Sequence, residues 1–185
     1  FTKRHDEVAQ AIMEEMGAPW GLAKNAQAAS GPQHIKAALR ALKTFEFEER
    51  NRTTVITKEP IGVCGLITPW NFPNAMITRK AGPALAAGCS MLVRPATLTP
   101  LSALAMGVLA DRAGIPKGVL SIVPSKSSSE IGKEFCENPI VRKLTFTGST
   151  EIGKKLVEQC AGTMKRTSME LGGNAPFIVF DDADL

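Results

Sequence analysis

The 185-residue sequence lacks any apolar run of the length a bilayer crossing needs, about 20 residues. Its most apolar region, 81–93, is broken by Gly82, Pro83 and Gly88. No membrane partner is expected. Clustered positive charge is also lacking. The 22 Lys and Arg exceed the 18 Asp and Glu, for a net charge of +4, but they are scattered along the chain. A nucleic-acid partner, which needs a basic stripe or patch, is therefore not expected either. Metal ligands are scarce. There are two histidines, His5 and His34, and four cysteines, Cys64, Cys89, Cys136 and Cys160, with no Cys-x-x-Cys pair. That excludes the usual structural zinc sites, and no metal site is expected. Single, widely spaced cysteines inside apolar segments read as buried thiols in a reducing compartment. No targeting peptide is visible from Phe1 onward, and there is no internal repeat. The nearest approach to low complexity, Ser127-Ser128-Ser129, reads as a helix N-cap region.

What is present is an ordinary globular composition, 44% hydrophobic and 22% charged, in a chain long enough for one good-sized core. Residues 3–16 place Val8, Ala11, Ile12 and Met16 on one helical face, with Gly17 to end it. Residues 33–44 repeat the pattern with Ile35, Leu39 and Leu42. Between them, Ala26 to Gly31 is a small-residue stretch where a long helix could continue or break. The alternation over 45–59, around a polar Arg50-Asn51-Arg52, predicts an exposed β-hairpin. From residue 61, strand and helix alternate. Strands are expected at 61–67, 90–94, 119–123, 142–147, 165–169 and 176–181. Helices are expected at 74–87, 100–113, 128–136 and 149–160. Gly88 and Gly114 stand where helix C-caps belong, and Pro100 where a helix starts. Repeated β-α-β units of this size predict an α/β fold with a doubly wound, mostly parallel, Rossmann-like sheet.

Several segments fall at the ends of these strands. Gly148-Ser149-Thr150-Glu151-Ile152-Gly153 follows an apolar strand and opens a helix, so its free N–H groups could hold a phosphate. It could equally be a plain strand-to-helix turn, since it is neither a Gly-x-Gly-x-x-Gly fingerprint nor a P-loop. Trp70-Asn71-Phe72-Pro73 is a turn stiffened by Pro69 and Pro73 at the edge where open α/β sheets bind ligands. The Asn71 amide could donate to an oxyanion or could cap the next helix. Glu170 ends a strand beside Gly172 and Gly173 and could be a general base or a solvated strand end. Arg94, ahead of Pro95 and Ala96, could touch a ribose or phosphate or be solvated.

Their occurrence at successive strand ends of one sheet is what carries weight. Together they resemble the aldehyde dehydrogenase superfamily over nearly the whole chain. Ile67 to Gly88 and Met169 to Leu185 are most similar to its succinate-semialdehyde dehydrogenases, and the stretch up to Leu66 is more similar to broad-specificity members. The resemblance implies three segments: N-terminal helices over 1–44, an oligomerisation hairpin over 45–60, and a dinucleotide-binding domain over 61–185. It implies NAD or NADP as cofactor, a small aldehyde as substrate, a homo-oligomer (dimer or tetramer), and a cytoplasmic or mitochondrial-matrix setting. Asn71 would donate to the oxyanion of a cysteine thiohemiacetal, and Glu170 would activate water to hydrolyse the thioester. Trp70, Asn71, Arg94, Pro95, Ala96, Thr97, Gly148 to Gly153 and Leu171 would line the cofactor groove. Arg79 would contact the substrate. Two residues depart from the family's habit: Arg94 stands where Lys is common, and Thr97 where Glu is common. The nucleophilic Cys of the family lies in a Gly-Gln-x-Cys-like segment, and none of the four cysteines here has that context. This chain is therefore expected to be a piece of a longer enzyme that carries the cofactor site and the base. The alternatives are a non-catalytic nucleotide-binding or interaction domain and a broad-specificity or betaine-type enzyme.

Overall fold

Val8, Ala9 and Ile12 share one side of the first helix, and all three are buried in the computed structural model, which describes residues 1–184. A short 3₁₀ turn, Thr2–Arg4, leads into α1 (His5–Met16). After Pro19, α2 (Trp20–Leu22) runs into a π-helical stretch, Ala23–Ala28, and then into α3 (Ala29–Leu42). The small-residue region thus continues the helix, with widened turns leading into it. Ala18, Ala23 and Ala28 close on Ile12 to form a core of small side chains.

The expected hairpin forms from β1 (Glu48–Asn51) and β2 (Thr54–Thr57), antiparallel, with Arg52 at φ +54° in the two-residue turn. It stands apart from the main sheet and has no buried residue.

The main sheet comprises β3 (Val63–Ile67), β4 (Met91–Arg94), β5 (Leu120–Ile122), β6 (Val141–Thr147) and β7 (Arg166–Glu170), all parallel, in the order β5-β4-β3-β6-β7. The intervening helices are α4 (Pro73–Ala86), α5 (Pro100–Arg112), α6 (Ser128–Glu137) and α7 (Thr150–Ala161). Alternation along the strands sends side chains to two cores. Leu66, Met91 and Val93 pack with Ile77 of α4 and Ala103 of α5. Ile67, Leu144 and Phe146 pack with Phe135 of α6 and Leu156 of α7. Leu66 and Leu144, one in each core and both fully buried, each contribute about 1.5–3 kcal/mol. Gly88 and Gly114 lie at φ +77° and +82° just past α4 and α5, the left-handed stop read from the sequence. The N-terminal helices are fastened to the sheet domain through Glu15, whose carboxylate accepts from the Leu101 and Ser102 N–H groups at the start of α5.

The strand expected at 176–181 does not form. Residues 171–180 are irregular, with Phe177 91% and Phe180 73% exposed. Apolar, β-prone composition supplies no hydrogen-bonding partner by itself, and among the described residues no other segment pairs with this one. Leu185, the last residue of the third expected segment, lies outside the described residues. Among the described residues no helix is long and apolar enough to cross a membrane, and no three His, Cys, Asp or Glu side chains gather as a metal site.

Candidate active site

The chain winds outward from β3 in both directions, through β4 to β5 on one side and, after a crossover, β6 to β7 on the other. The strand order therefore reverses between β3 and β6. Loops leaving the carboxyl ends of these two strands diverge, and a crevice opens there. A cleft of about 440 Å³ lies at that edge, lined by Pro69, Trp70, Asn71, Met76, Arg79, Thr147, Gly148, Glu170, Leu171 and Gly172. The fold thus brings Trp70, Asn71, Arg79, Gly148, Glu170 and Leu171 around one space, although 99 residues of sequence separate Asn71 from Glu170. Ser149 to Gly153 and Arg94 to Thr97 lie outside its lining.

Glu170 ends β7 with its carboxylate held from two sides. Thr147 donates its hydroxyl to Glu170 Oε2 at 3.1 Å. On the other oxygen, Arg79 Nη2 stands 3.5 Å and Lys80 Nζ 3.8 Å from Oε1. The backbone ladder runs on past the strand, with Gly148 N–H donating to Glu170 C=O at 3.1 Å. Lys80 is buried and donates to Thr145 Oγ1 at 2.9 Å. Burial pulls the Lys80 ammonium below the ordinary lysine range, and the Glu170 carboxylate partly offsets this. The two neighbouring cations of α4 are thus not both surface groups. Arg79 is half-exposed at the cleft, and Lys80 sits beneath the carboxylate.

Lys80 and Thr147 were not singled out by sequence reasoning. A signal existed for each. Lys80 follows Ile77 by three positions and precedes Ala84 by four, so it lies on the apolar side of α4. Thr145 and Thr147 alternate with the buried Leu144 and Phe146, which puts both hydroxyls on the opposite face of β6, toward α4.

Asn71 does not cap α4. The N-cap is Phe72, with no side-chain bond, which leaves the exposed Asn71 amide free at the cleft. Ser149 does cap α7, its Oγ accepting from Ile152 N–H at 3.4 Å. The earlier N–H groups of that helix have no intrahelical partner, and residues 149–151 are exposed. Two glycines shape this end. A Cβ on Gly148 would fall 2.5 Å from Phe146 Cζ, and one on Gly153 would fall 2.5 Å from Leu171 Cδ2. Leu171 therefore lies across the first turn of α7, and a side chain at 153 would have to push the Leu171 tip aside.

Arg94 is neither solvated nor part of the cleft wall. It is 8% exposed and donates from Nη2 to Thr97 Oγ1 at 2.8 Å and to Ser128 Oγ, while its Nε is buried without a partner. Burial lowers its pKa from the usual range. Pro95 and Ala96 are buried, so of the four residues closing β4 only Thr97 presents a side chain to solvent. An anionic cofactor fits this edge. The α7 N-terminus offers exposed, unpaired N–H groups, and Arg94 has an unsatisfied N–H behind Thr97.

No thiol is poised in the cleft. All four cysteines are free and buried in the two sheet cores, and burial pushes both Cys64 and Cys136 up to about 12.

Comparison with known proteins agrees with this architecture. The model of the aldehyde dehydrogenase family matches residues 1–185. A glutarate-semialdehyde dehydrogenase of Pseudomonas aeruginosa is 54% identical over 187 residues, covering 99% of this chain and 38% of the relative. The NADP⁺ succinate-semialdehyde dehydrogenase GabD of Escherichia coli is 51% identical, covering 99% and 39%. The crystal structure of a Pseudomonas syringae aldehyde dehydrogenase C mutant, complexed with NAD⁺ and octanal, superposes with a TM-score of 0.91 at 40% identity, over 99% of this chain and 38% of that one. The chain thus spans about two fifths of the length of the curated relatives it matches.

Proposed function

Because the chain belongs to the aldehyde dehydrogenase family, we propose that the whole protein oxidises an aldehyde bearing a distal carboxylate, succinate semialdehyde foremost, to the acid with NAD or NADP. The carrying observation is the cleft that holds an exposed asparagine amide, a carboxylate and an arginine within one space at the strand-order reversal. The residues divide the work by their chemistry. The Asn71 amide is a neutral donor, suited to the oxygen of a cysteine–aldehyde adduct as it gains negative charge. Glu170 is the one carboxylate lining the cleft, and Gly172 and Gly173 after it let it reach a water held against a thioester. Arg79 offers a planar fork to the substrate's far carboxylate. The attacking thiol is expected outside these 185 residues, because the four cysteines here are core residues.

Gly148 to Gly153, Leu171, Trp70 and the strand end from Arg94 to Thr97 are the residues that would hold the dinucleotide. When bound, its nicotinamide supplies the hydride acceptor that the reaction requires. The α7 N-terminus favours the pyrophosphate, and Thr97 leaves the ribose 2′ position without carboxylate repulsion, which suits NADP. The free-standing hairpin, with Val55 and Ile56 about half exposed, suits assembly with further copies of the chain. Free buried thiols suit the cytoplasm or the mitochondrial matrix.

The test is turnover of the full-length protein, followed by NAD(P)H absorbance. Succinate semialdehyde should be oxidised, and Glu170→Gln should lower the rate ~10²–10⁴-fold while cofactor affinity stays near normal. A near-normal rate in that variant would reduce Glu170 to a solvated strand end.

A further inference from the structure

A fully buried amide reaches the loop of Asn71 from the far end of the chain. Gln27 is 1% exposed and donates from Nε2 to the backbone carbonyl of Asn71 at 2.6 Å, across 44 residues of sequence. The same amide group also meets Met16 Sδ at 2.9 Å. Its own oxygen, Oε1, is buried with no partner. Gln27 lies in the π-helical stretch Ala23–Ala28, whose wider turns change which face a residue presents, and such stretches recur at functional sites.

We infer that Gln27 is a positioning residue for the Asn71 amide, and that it acts by fixing the Asn71–Phe72 peptide plane. This rests on the oxyanion reading of Asn71 given above. The Asn71 side chain is exposed, and no side-chain partner holds it. Its direction is set by where its backbone points. That backbone is stiffened by Pro69 and Pro73, whose rings fix φ and remove two N–H groups. Thr68 N–H is anchored on Arg94 C=O at 3.2 Å, and Phe72 C=O accepts from Met76 N–H at 2.9 Å. The Asn71 carbonyl lies between these anchors, and Gln27 holds it. With that plane fixed, the Cα–Cβ bond of Asn71 has one direction, and the amide is left only the rotamers about that bond before substrate arrives. The orphaned Oε1 supports this. An unsatisfied buried oxygen works against stability, so an apolar side chain of equal size would serve the core better. The amide is placed for what its N–H holds.

Gln27→Met in the full-length enzyme keeps the volume and removes both the donor and the orphaned oxygen. We expect kcat for succinate semialdehyde to fall roughly 10- to 100-fold, as small misplacements of reacting groups do. KM for the dinucleotide should change far less than kcat, because only the Trp70–Asn71 loop is released and the α7 end of the site is untouched. The melting temperature should stay level or rise. The decisive readout is the double variant. If Gln27 acts through Asn71, then Gln27→Met should cost nothing further once Asn71→Ala is in place. Equal fold losses from Gln27→Met in the presence and absence of the Asn71 amide would overturn the inference, as would a Gln27→Met enzyme with wild-type kcat. If Gln27→Met does not fold, a crystal structure of the wild-type protein decides. Gln27 Nε2 within hydrogen-bond distance of Asn71 O supports the inference, and a longer separation overturns it. Full kcat in Asn71→Ala, or no aldehyde turnover by the whole protein, overturns the inference and the functional reading together. Loss of kcat in Asn71→Ala with Gln27→Met intact removes the inference alone.

Discussion

Arg79 and Lys80 are neighbours in sequence with opposite fates. Arg79 keeps half its side chain in solvent while touching Glu170, and Lys80 is enclosed beneath the same carboxylate. If Arg79 binds the substrate as proposed, the substrate carboxylate and Glu170 would compete for one guanidinium. Arg79→Ala in the full-length protein should raise KM for succinate semialdehyde by roughly ten- to more than a hundredfold, from the ~1.5–3 kcal/mol of a lost charge-assisted pair. An uncharged aliphatic aldehyde should be affected far less. Equal losses on both would mean that Arg79 serves only Glu170. For Lys80, burial lowers the folded-state pKa below the unfolded one. The folded protein then binds fewer protons than the unfolded chain between those two values, so stability gains as pH rises through that window and the penalty is full below it. The stability gap between wild type and Lys80→Met should therefore shift in favour of the wild type as pH rises from 7 toward 10. Chemical denaturation at several pH values measures it, and a pH-independent gap would mean that the ion pair with Glu170 fully offsets burial. Sequence reasoning reached Glu170 and Asn71, which stand at strand ends beside glycine and proline. It did not reach Lys80, whose partner Thr145 is 65 residues away and invisible to local pattern.

At the scale of elements, boundaries were legible wherever a period and a breaker coincided. α4 stops before Gly88, α5 starts at Pro100 and stops before Gly114, and β3 and β4 follow their apolar runs. Two elements were not legible. The π-helical turn at Ala23–Ala28 leaves no clear mark in composition, because it depends on how that stretch itself packs against both α1 and α4. The segment 176–181 has strand composition but no ladder partner. The end of β4 holds a consequence for cofactor choice. Thr97 is exposed and already accepts from the buried Arg94. A carboxylate there would accept from a ribose 2′-OH and repel a 2′-phosphate. Thr97→Glu should move the kcat/KM ratio toward NAD by about tenfold, a difference of roughly 1.4 kcal/mol. An unchanged ratio would mean that position 97 does not face the ribose 2′ position.

Over the whole molecule, the apolar surface is divided unevenly. Grooves of about 400 and 410 Å³ remain along α3 and α4, the second reaching Ile77 and Met91 of one sheet core, and Phe177 to Phe180 stand largely in solvent. Contiguous apolar surface of this kind marks faces that function when covered. The two sheet cores are where every cysteine resides, and this decides what the 185 residues can do alone. A thiol attacks as thiolate, and burial holds Cys64 and Cys136 near 12, far above neutral pH. Cys89 and Cys160 share their cores. The isolated 185-residue chain should therefore give no aldehyde oxidation with either cofactor, even where it binds one. Its four thiols should react slowly with an aromatic disulfide reagent in the native state and all four rapidly in denaturant. One thiol labelling fast in the native chain, together with measurable turnover, would place the nucleophile among these four residues and would recast the cleft around it.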